Sequence, residues 1–149
     1  MPLSRDDLIY LAGFVDGEGC VSLAWRKVRG KNYITPNIQI TNTNKEIIEW
    51  IASEIPGHIH ERKEKRVNRK DSWCYQISGN KALELIKDIY PYLKVKRQQA
   101  DVVMGINRIK VGRGLDGRLV RTITPEIDKQ NLDAVMLIRS LNQRGKIYA

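Results

Sequence analysis

The alternation of apolar and polar positions divides the chain into helical and extended stretches. Ser4 is a candidate N-cap, and Asp6 and Asp7 stand where a helix N-terminus favours negative charge. Leu8, Leu11, Ala12 and Val15 then recur at helical spacing, which predicts a first helix over 5–16. From Cys20 the period falls to two: Val21, Leu23 and Trp25 share one face, and Ser22, Ala24 and Arg26 share the other. The stretch 33–41 repeats this, setting Ile34, Ile38 and Ile40 against Tyr33, Thr35, Asn37, Gln39 and Thr41, with Gly30 and Lys31 as the intervening turn. Asn44 predicts the cap of a second helix, 45–54, which closes before Pro56-Gly57. A second hairpin is expected over 58–67 and 72–78, where Trp73, Tyr75 and Ile77 alternate with Ser72, Cys74 and Gln76. A third helix runs from Asn80 to Tyr90 and stops at Pro91; a fourth is predicted from about Val95 to Val111. Gly112, Gly114 and Gly117 mark a connecting loop, and Thr124-Pro125 opens a last helix through about Asn142. The pattern is that of one α+β domain spanning 1–149, with a four-stranded antiparallel sheet followed by C-terminal helices.

Composition adds a partner class. The 26 Lys and Arg outnumber the 17 Asp and Glu, giving a net charge of +9 and a pI near 9.7. This balance favours a polyanionic partner and says nothing about the fold. Nucleic acid is the better candidate, because no stretch is apolar enough to span a bilayer and no basic amphipathic helix dominates. Cys20 and Cys74 are far apart and share no metal-like spacing, so a disulfide framework is not expected and a reducing compartment is. The N-terminus places acids directly before its apolar run, the wrong order for a secretory signal. An intracellular location follows as an expectation, in the cytoplasm or nucleoid or within an organelle.

The candidate chemistry lies in Leu11-Ala12-Gly13-Phe14-Val15-Asp16-Gly17-Glu18-Gly19. Two carboxylates stand at a helix C-terminus, where the macrodipole disfavours negative charge, and three glycines surround them at a cost in backbone entropy. Gly13 and Gly17 are four residues apart, share a face, and permit close approach of another backbone. A carboxylate beside such a seam offers the hard oxygen ligands that divalent cations take. From spacing alone, a capped helix followed by a glycine-rich turn with solvated acids explains the stretch equally well.

These nine residues closely resemble the signature of the LAGLIDADG homing endonucleases, with conservative replacements. The likeness continues in Leu93-Lys94-Val95-Lys96-Arg97-Gln98-Gln99-Ala100 and in Gln39-Ile40-Thr41-Asn42, and the element order resembles that family's αββαββα core, with its saddle-shaped sheet. The resemblance covers most of residues 5–110. With one motif per chain it implies a homodimer, the two copies packing their motif helices around a two-fold axis through Leu11, Ala12, Gly13, Val15 and Asp16. It implies Mg²⁺ held by Glu18 and by the carbonyl of Gly17. Glu18 stands in place of the commoner Asp, while Asp16 matches an acid of structural role. Asn42 matches a residue that positions solvent near the scissile phosphate, and Lys96 a basic residue close to the cleaved strand. Glu46 stands where some relatives carry a basic residue. The implied activity is a staggered double-strand break with short 3′ overhangs in a long pseudo-palindromic DNA site, by an enzyme encoded in a mobile intron or intein. Two alternatives share the fold: a splicing cofactor that binds intron RNA, and a transcription regulator that has lost the acids.

The outward positions of the expected sheet suit such a target. Ser22, Arg26, Tyr33, Thr35, Asn37, Gln39, Thr41 and Gln76 hydrogen-bond readily to base edges, and Ala24, Lys27 and Cys74 are assigned with them to DNA binding. Arg29, Lys31, Arg62, Lys63, Lys65, Arg66, Arg69 and Lys70 gather in strand and turn regions suited to phosphates. A solvated sheet face alternates in the same way, so the set carries more weight than any one member. His58-Ile59-His60 lacks the third ligand a zinc site needs, and Glu61-Arg62-Lys63 is a triplet that a charged hairpin produces readily. Trp25, Trp50 and Trp73 are assigned to core or interface, and Arg113 and Arg118 to the connecting loop.

Overall fold

The computed structural model describes residues 3–106, 110–113, 119–122 and 124–143. The chain runs α1 (Arg5–Glu18), β1 (Gly19–Val28), β2 (Lys31–Asn42), α2 (Lys45–Glu54), β3 (His58–Arg62), β4 (Ser72–Ser78), α3 (Asn80–Ile89), a single 3₁₀ turn (Tyr90–Tyr92), α4 (Arg97–Gly105), β5 (Lys110–Arg113), β6 (Leu119–Thr122) and α5 (Pro125–Leu141). Three helices open where side-chain chemistry dictates. Ser4 Oγ accepts the Asp7 N–H, Asn44 Oδ1 that of Ile47, and Thr124 Oγ1 that of Ile127. Each satisfies one of the amide donors a helix N-terminus otherwise leaves unpaired.

The main sheet has the order β1-β2-β4-β3 and is antiparallel throughout. Its pleat separates two surfaces. One carries Val21, Leu23, Ile38, Ile40, Tyr75 and Ile77, all buried, and the five described helices cover it with Leu11, Ala12, Val15, Ile48, Ile51, Ile86, Ile89, Val103, Val135 and Ile138 among their contributions. Burying each such side chain contributes about 1.5–3 kcal/mol, so the apolar layer fixes the register against a one-residue slip. Tyr75 anchors that layer: its ring is fully buried and its hydroxyl donates to the Ile55 carbonyl at 2.7 Å. Gly57 lies so close beneath it that a Cβ there would come within 2.6 Å of the Tyr75 ring and 2.5 Å of Ile77. Among the described residues no helix covers the other surface, which carries the polar set. This is the expected αββαββα α+β core.

Four boundaries differ from the sequence pattern. The first hairpin turns on Arg29 and Gly30, both at positive φ, and Lys31 already pairs with Val28. Two such central residues match a turn whose twist fits the flanking strands, so the expected turn at Gly30 and Lys31 moves back by one. β3 ends at Arg62 instead of 67, because Asp71 and Glu64 carboxylates accept the backbone N–H groups of Glu64 and Arg66 and fold 63–71 into a loop. α4 ends at Gly105, well before Val111. The stretch read as a glycine-marked connection instead supplies two strands, β5 and β6, paired with each other; 114–118, with Arg118, lie outside the described residues.

α5 closes the apolar layer over β1 and β2. Asn142 Nδ2 donates to the Val21 carbonyl at 2.9 Å, Asn32 Nδ2 to Asp128 Oδ2 at 3.0 Å, and the Arg139 guanidinium sits 5.5 Å from the Trp25 ring. Among the described residues no helix is long and apolar enough to cross a membrane.

Candidate active site and nucleic-acid interface

Glu18 is the last residue of α1, and Gly19 begins β1 without an intervening loop. That abrupt change of direction explains the final glycine. A Cβ on Gly19 would lie 2.9 Å from both Cα and O of Val15, which are backbone and cannot swing aside. The Gly19 N–H also closes the helix by donating to the Val15 carbonyl. Glu18 is therefore held at the rim of the sheet, exposed, with no hydrogen bond or ion pair to any described residue.

Register brings two further residues to the same rim. Gly19 pairs with Ile40, so the end of β2, Thr41 and Asn42, lies beside Glu18. Asp16, which sequence alone placed at a subunit seam, reaches across the fold: its carboxylate accepts the N–H of Lys94 at 2.8 Å and of Lys96 at 2.9 Å. These charge-assisted bonds, spanning 78 and 80 residues of chain, tie the entry of α4 to the end of α1. Lys96 is thereby brought to the site, and it is 7% exposed with no ion pair to a described residue. Asn42 is partly committed elsewhere. Its Oδ1 accepts the Asn44 N–H at 2.7 Å, shaping the approach to α2, which leaves Nδ2 as its available group. Glu46 is exposed on the first turn of α2.

α1 has two distinct stripes, and the structure corrects the expected seam. Leu11, Ala12 and Val15 are fully buried in the chain's own core, so they are not surface available to a second copy. The open stripe is Asp6, Ile9, Tyr10, Gly13 and Gly17, with Ile9 42% and Tyr10 50% exposed. A Cβ at Gly13 or Gly17 would meet nothing within 4 Å. Of the five expected seam residues, Gly13 alone lies on this stripe, and Asp16 faces Lys94 and Lys96.

The open face of the sheet collects the expected base-reading set. Cross-strand pairing aligns Ser22 with Asn37, Ala24 with Thr35, Arg26 with Tyr33, Gln39 with Gln76 and Thr41 with Cys74. Within it, Gln76 Nε2 donates to Asn37 Oδ1 at 2.9 Å, and Asn37 Nδ2 donates to Ser22 Oγ at 3.3 Å. Two members are not accessible: Asn37 is 6% and Cys74 2% exposed. The face also includes His58 and His60, which pair with Gln76 and Cys74 and stack edge to face at 4.6 Å. Sequence reasoning set both aside as a zinc question, although the period-two placement of 58 and 60 beside 74 and 76 was the signal for the face they share. Arg29 sits at the first hairpin tip, and Lys27 and Lys31 are exposed near it. Arg62 ends β3, while Lys63, Lys65, Arg66, Arg69 and Lys70 are all exposed in the loop that follows.

The profile of the LAGLIDADG endonuclease family matches residues 11–100, which takes in α1 from Leu11 onward, the whole main sheet and the start of α4. The chain belongs to that family. A search of curated proteins found no match. Among solved structures, the fold is similar to the homing endonuclease I-CvuI in complex with its target in the presence of calcium, with a TM-score of 0.67 at 19% identity over 96% of this chain and 85% of that one. It is equally similar to the archaeal intron-encoded homing endonuclease I-Vdi141I complexed with DNA, with a TM-score of 0.67 at 18% identity over 98% and 91% of the two chains. A second I-CvuI structure, with magnesium and uncleaved DNA, gives 0.63 at 21% identity over 97% and 87%.

A divalent cation fits the donor set at this rim. Glu18 offers an unpaired carboxylate and Gly17 a peptide carbonyl at a helix C-terminus, both hard oxygen donors of the kind Mg²⁺ and Ca²⁺ select. No group of three or more His, Cys, Asp or Glu able to hold a metal occurs among the described residues.

Proposed function

We propose that two copies of this chain form a site-specific DNA endonuclease that hydrolyses both strands of a long, pseudo-palindromic target with Mg²⁺. The observation that carries this reading is the isolated, exposed Glu18 carboxylate at the rim of an open polar sheet face, delivered there by a helix whose outward glycines have no neighbour among the described residues. Gly13 and Gly17 each cost up to about 1 kcal/mol relative to alanine in a helix. Neither is needed for packing within the chain, so the demand for a bare backbone comes from a partner. A second copy meeting this stripe about a two-fold axis sets two Glu18 carboxylates near one another.

The sheet's polar face then serves as the major-groove reader, and the loop 63–71 with the Arg29 tip supplies cations for phosphates. Bound Mg²⁺ supplies charge neutralisation at the phosphate and a water acidic enough to attack it. Glu18 and the Gly17 carbonyl hold the cation, and Asn42 Nδ2 orients a solvent molecule. Lys96, set at the site by the Asp16 bond to its N–H, stabilises the negative charge that develops on the scissile phosphate. A break across the minor groove leaves short 3′ ends. Of the fold's alternatives, the two binding-only roles leave the exposed, uncommitted Glu18 without a task.

The test is Glu18→Gln. The altered dimer is expected to bind the same DNA site while losing cleavage by a factor of at least about a hundred, the scale of removing one group that stabilises transition-state charge. Cleavage at the unaltered rate would remove Glu18 from the catalytic role.

A further inference from the structure

We infer that Asn37 is a positioning residue for sequence readout, setting from its buried place in the sheet which hydrogen-bonding groups Ser22 and Gln76 present to DNA. The inference rests on the DNA-reading role proposed above and specifies how part of that face is wired. Asn37 lies in the middle of the polar face, on β2, flanked by β1 and β4. At 6% exposure it is too enclosed to be a principal reader itself. Both ends of its amide are committed: Oδ1 accepts from Gln76 Nε2 at 2.9 Å, and Nδ2 donates to Ser22 Oγ at 3.3 Å. Ser22 and Gln76 are only half-buried and stand on opposite sides of it.

An amide has a fixed polarity, and each neighbour inherits it. Gln76 must turn its NH₂ group toward Asn37, so its Oε1 is the acceptor left to present outward, with the second Nε2 proton beside it. That pair matches adenine, which offers N6–H and N7 in the major groove. Ser22 already accepts through Oγ, so its hydroxyl proton is free to point outward as a donor. A donor there suits base edges offering an acceptor: guanine O6 or N7, adenine N7 or thymine O4. Without Asn37, a hydroxyl rotates freely and a glutamine amide flips, and each presents either polarity. The buried asparagine therefore converts two ambiguous side chains into one donor and one acceptor column across three adjacent strands, about 5 Å apart per strand.

Asn37→Asp makes the sharp test. A carboxylate still accepts from Gln76 Nε2, but it cannot donate to Ser22. The Ser22 hydroxyl then has to donate inward and turns its lone pairs toward the DNA. Cleavage selections from a randomised library, run on the unaltered chain and on Asn37→Asp, read the base preference at every position. The expected result is a change of about fivefold or more in preference at one symmetry-related pair of positions, from guanine or thymine, which offer only acceptors, toward cytosine or adenine, which offer an amino donor, with the position read by Gln76 unchanged. A role in folding alone would lower cutting evenly without moving preference between bases. Should Asn37→Asp fail to fold, Ser22→Ala, Gln76→Ala and the double substitution test the same wiring: their effects on base preference are expected to be non-additive, although the two residues lie two strands apart. A defined cut site whose preferences ignore Asn37, or strictly additive effects in the cycle, would overturn this inference and leave the endonuclease reading intact. No cut or bound site for the unaltered chain would overturn both.

Discussion

Replacing Gly13 by alanine separates the stability of the chain from its assembly. Gly13 lies inside α1, and a Cβ built there meets nothing within 4 Å, so the substitution has no steric cost within one chain. Only helix propensity remains, which favours alanine by about 0.8–1.0 kcal/mol. For a chain of this size that corresponds to roughly 2–4 °C in Tm. The proposed dimer responds in the opposite direction. Two-fold symmetry places two added methyl groups into one close helix–helix seam, where overpacking costs about 1–3 kcal/mol. Dimer dissociation is therefore expected to rise at least fivefold, measured by sedimentation equilibrium, while thermal unfolding of dilute, monomeric protein moves upward. Gly19→Ala is the internal contrast. Its Cβ would come within 2.9 Å of the Val15 backbone, so it destabilises the chain itself by about 1–3 kcal/mol. An unchanged dimer constant for Gly13→Ala would refute the assignment of the open stripe as the seam.

Other consequences follow from single contacts. Asp16→Asn keeps at most one of the two bonds to Lys94 and Lys96; denaturant unfolding is expected to show a loss of about 1–3 kcal/mol, and single-turnover cleavage should fall with it because Lys96 loses its anchor. Arg29 occupies a left-handed conformation at φ 50°, so Arg29→Asn is expected to raise stability by up to about 1 kcal/mol while weakening DNA binding and lowering its salt dependence, read by titrations at several ionic strengths. Burial pushes the Tyr75 hydroxyl well above the ordinary tyrosine value of 10.0. The folded state thus holds a proton that the unfolded chain releases, so stability is full below pH 10 and falls as the pH rises beyond it. Unfolding midpoints measured on either side of that pH check the sign.

The helix caps at Ser4, Asn44 and Thr124 were legible because a capping side chain acts on an amide two or three residues away. The apolar faces of β1, β2 and β4 were equally plain, since Val21 and Leu23, Ile38 and Ile40, and Tyr75 and Ile77 alternate and are buried, although Asn37 and Cys74 on the polar face are buried too. What the pattern does not contain is which neighbours a face meets. Leu11, Ala12 and Val15 make a convincing apolar stripe, but only the fold shows that the core consumes it and that the bare glycine stripe behind is the surface left over. Asp16 bonds to residues about eighty positions away, a contact with no local signal. Asn37 reads like any other outward polar position, and its enclosure between β1 and β4 appears only with the strand order. The loop after Arg62 and the β5–β6 pair were misread for a related reason: charged and glycine-containing stretches suit strand or loop until pairing decides between them. The nonapeptide set acids at a helix end that disfavours them, a conflict that spacing left open and only the resemblance to the LAGLIDADG signature read as chemistry.

The most direct measurement is cleavage of a randomised duplex DNA library by the unaltered protein with Mg²⁺, sequencing the cut ends. The account predicts a long, pseudo-palindromic site cut on both strands with short 3′ overhangs, and loss of cutting when the cation is chelated. Protein that is folded and dimeric yet cuts no sequence, or that cuts equally well without a divalent cation, would contradict it.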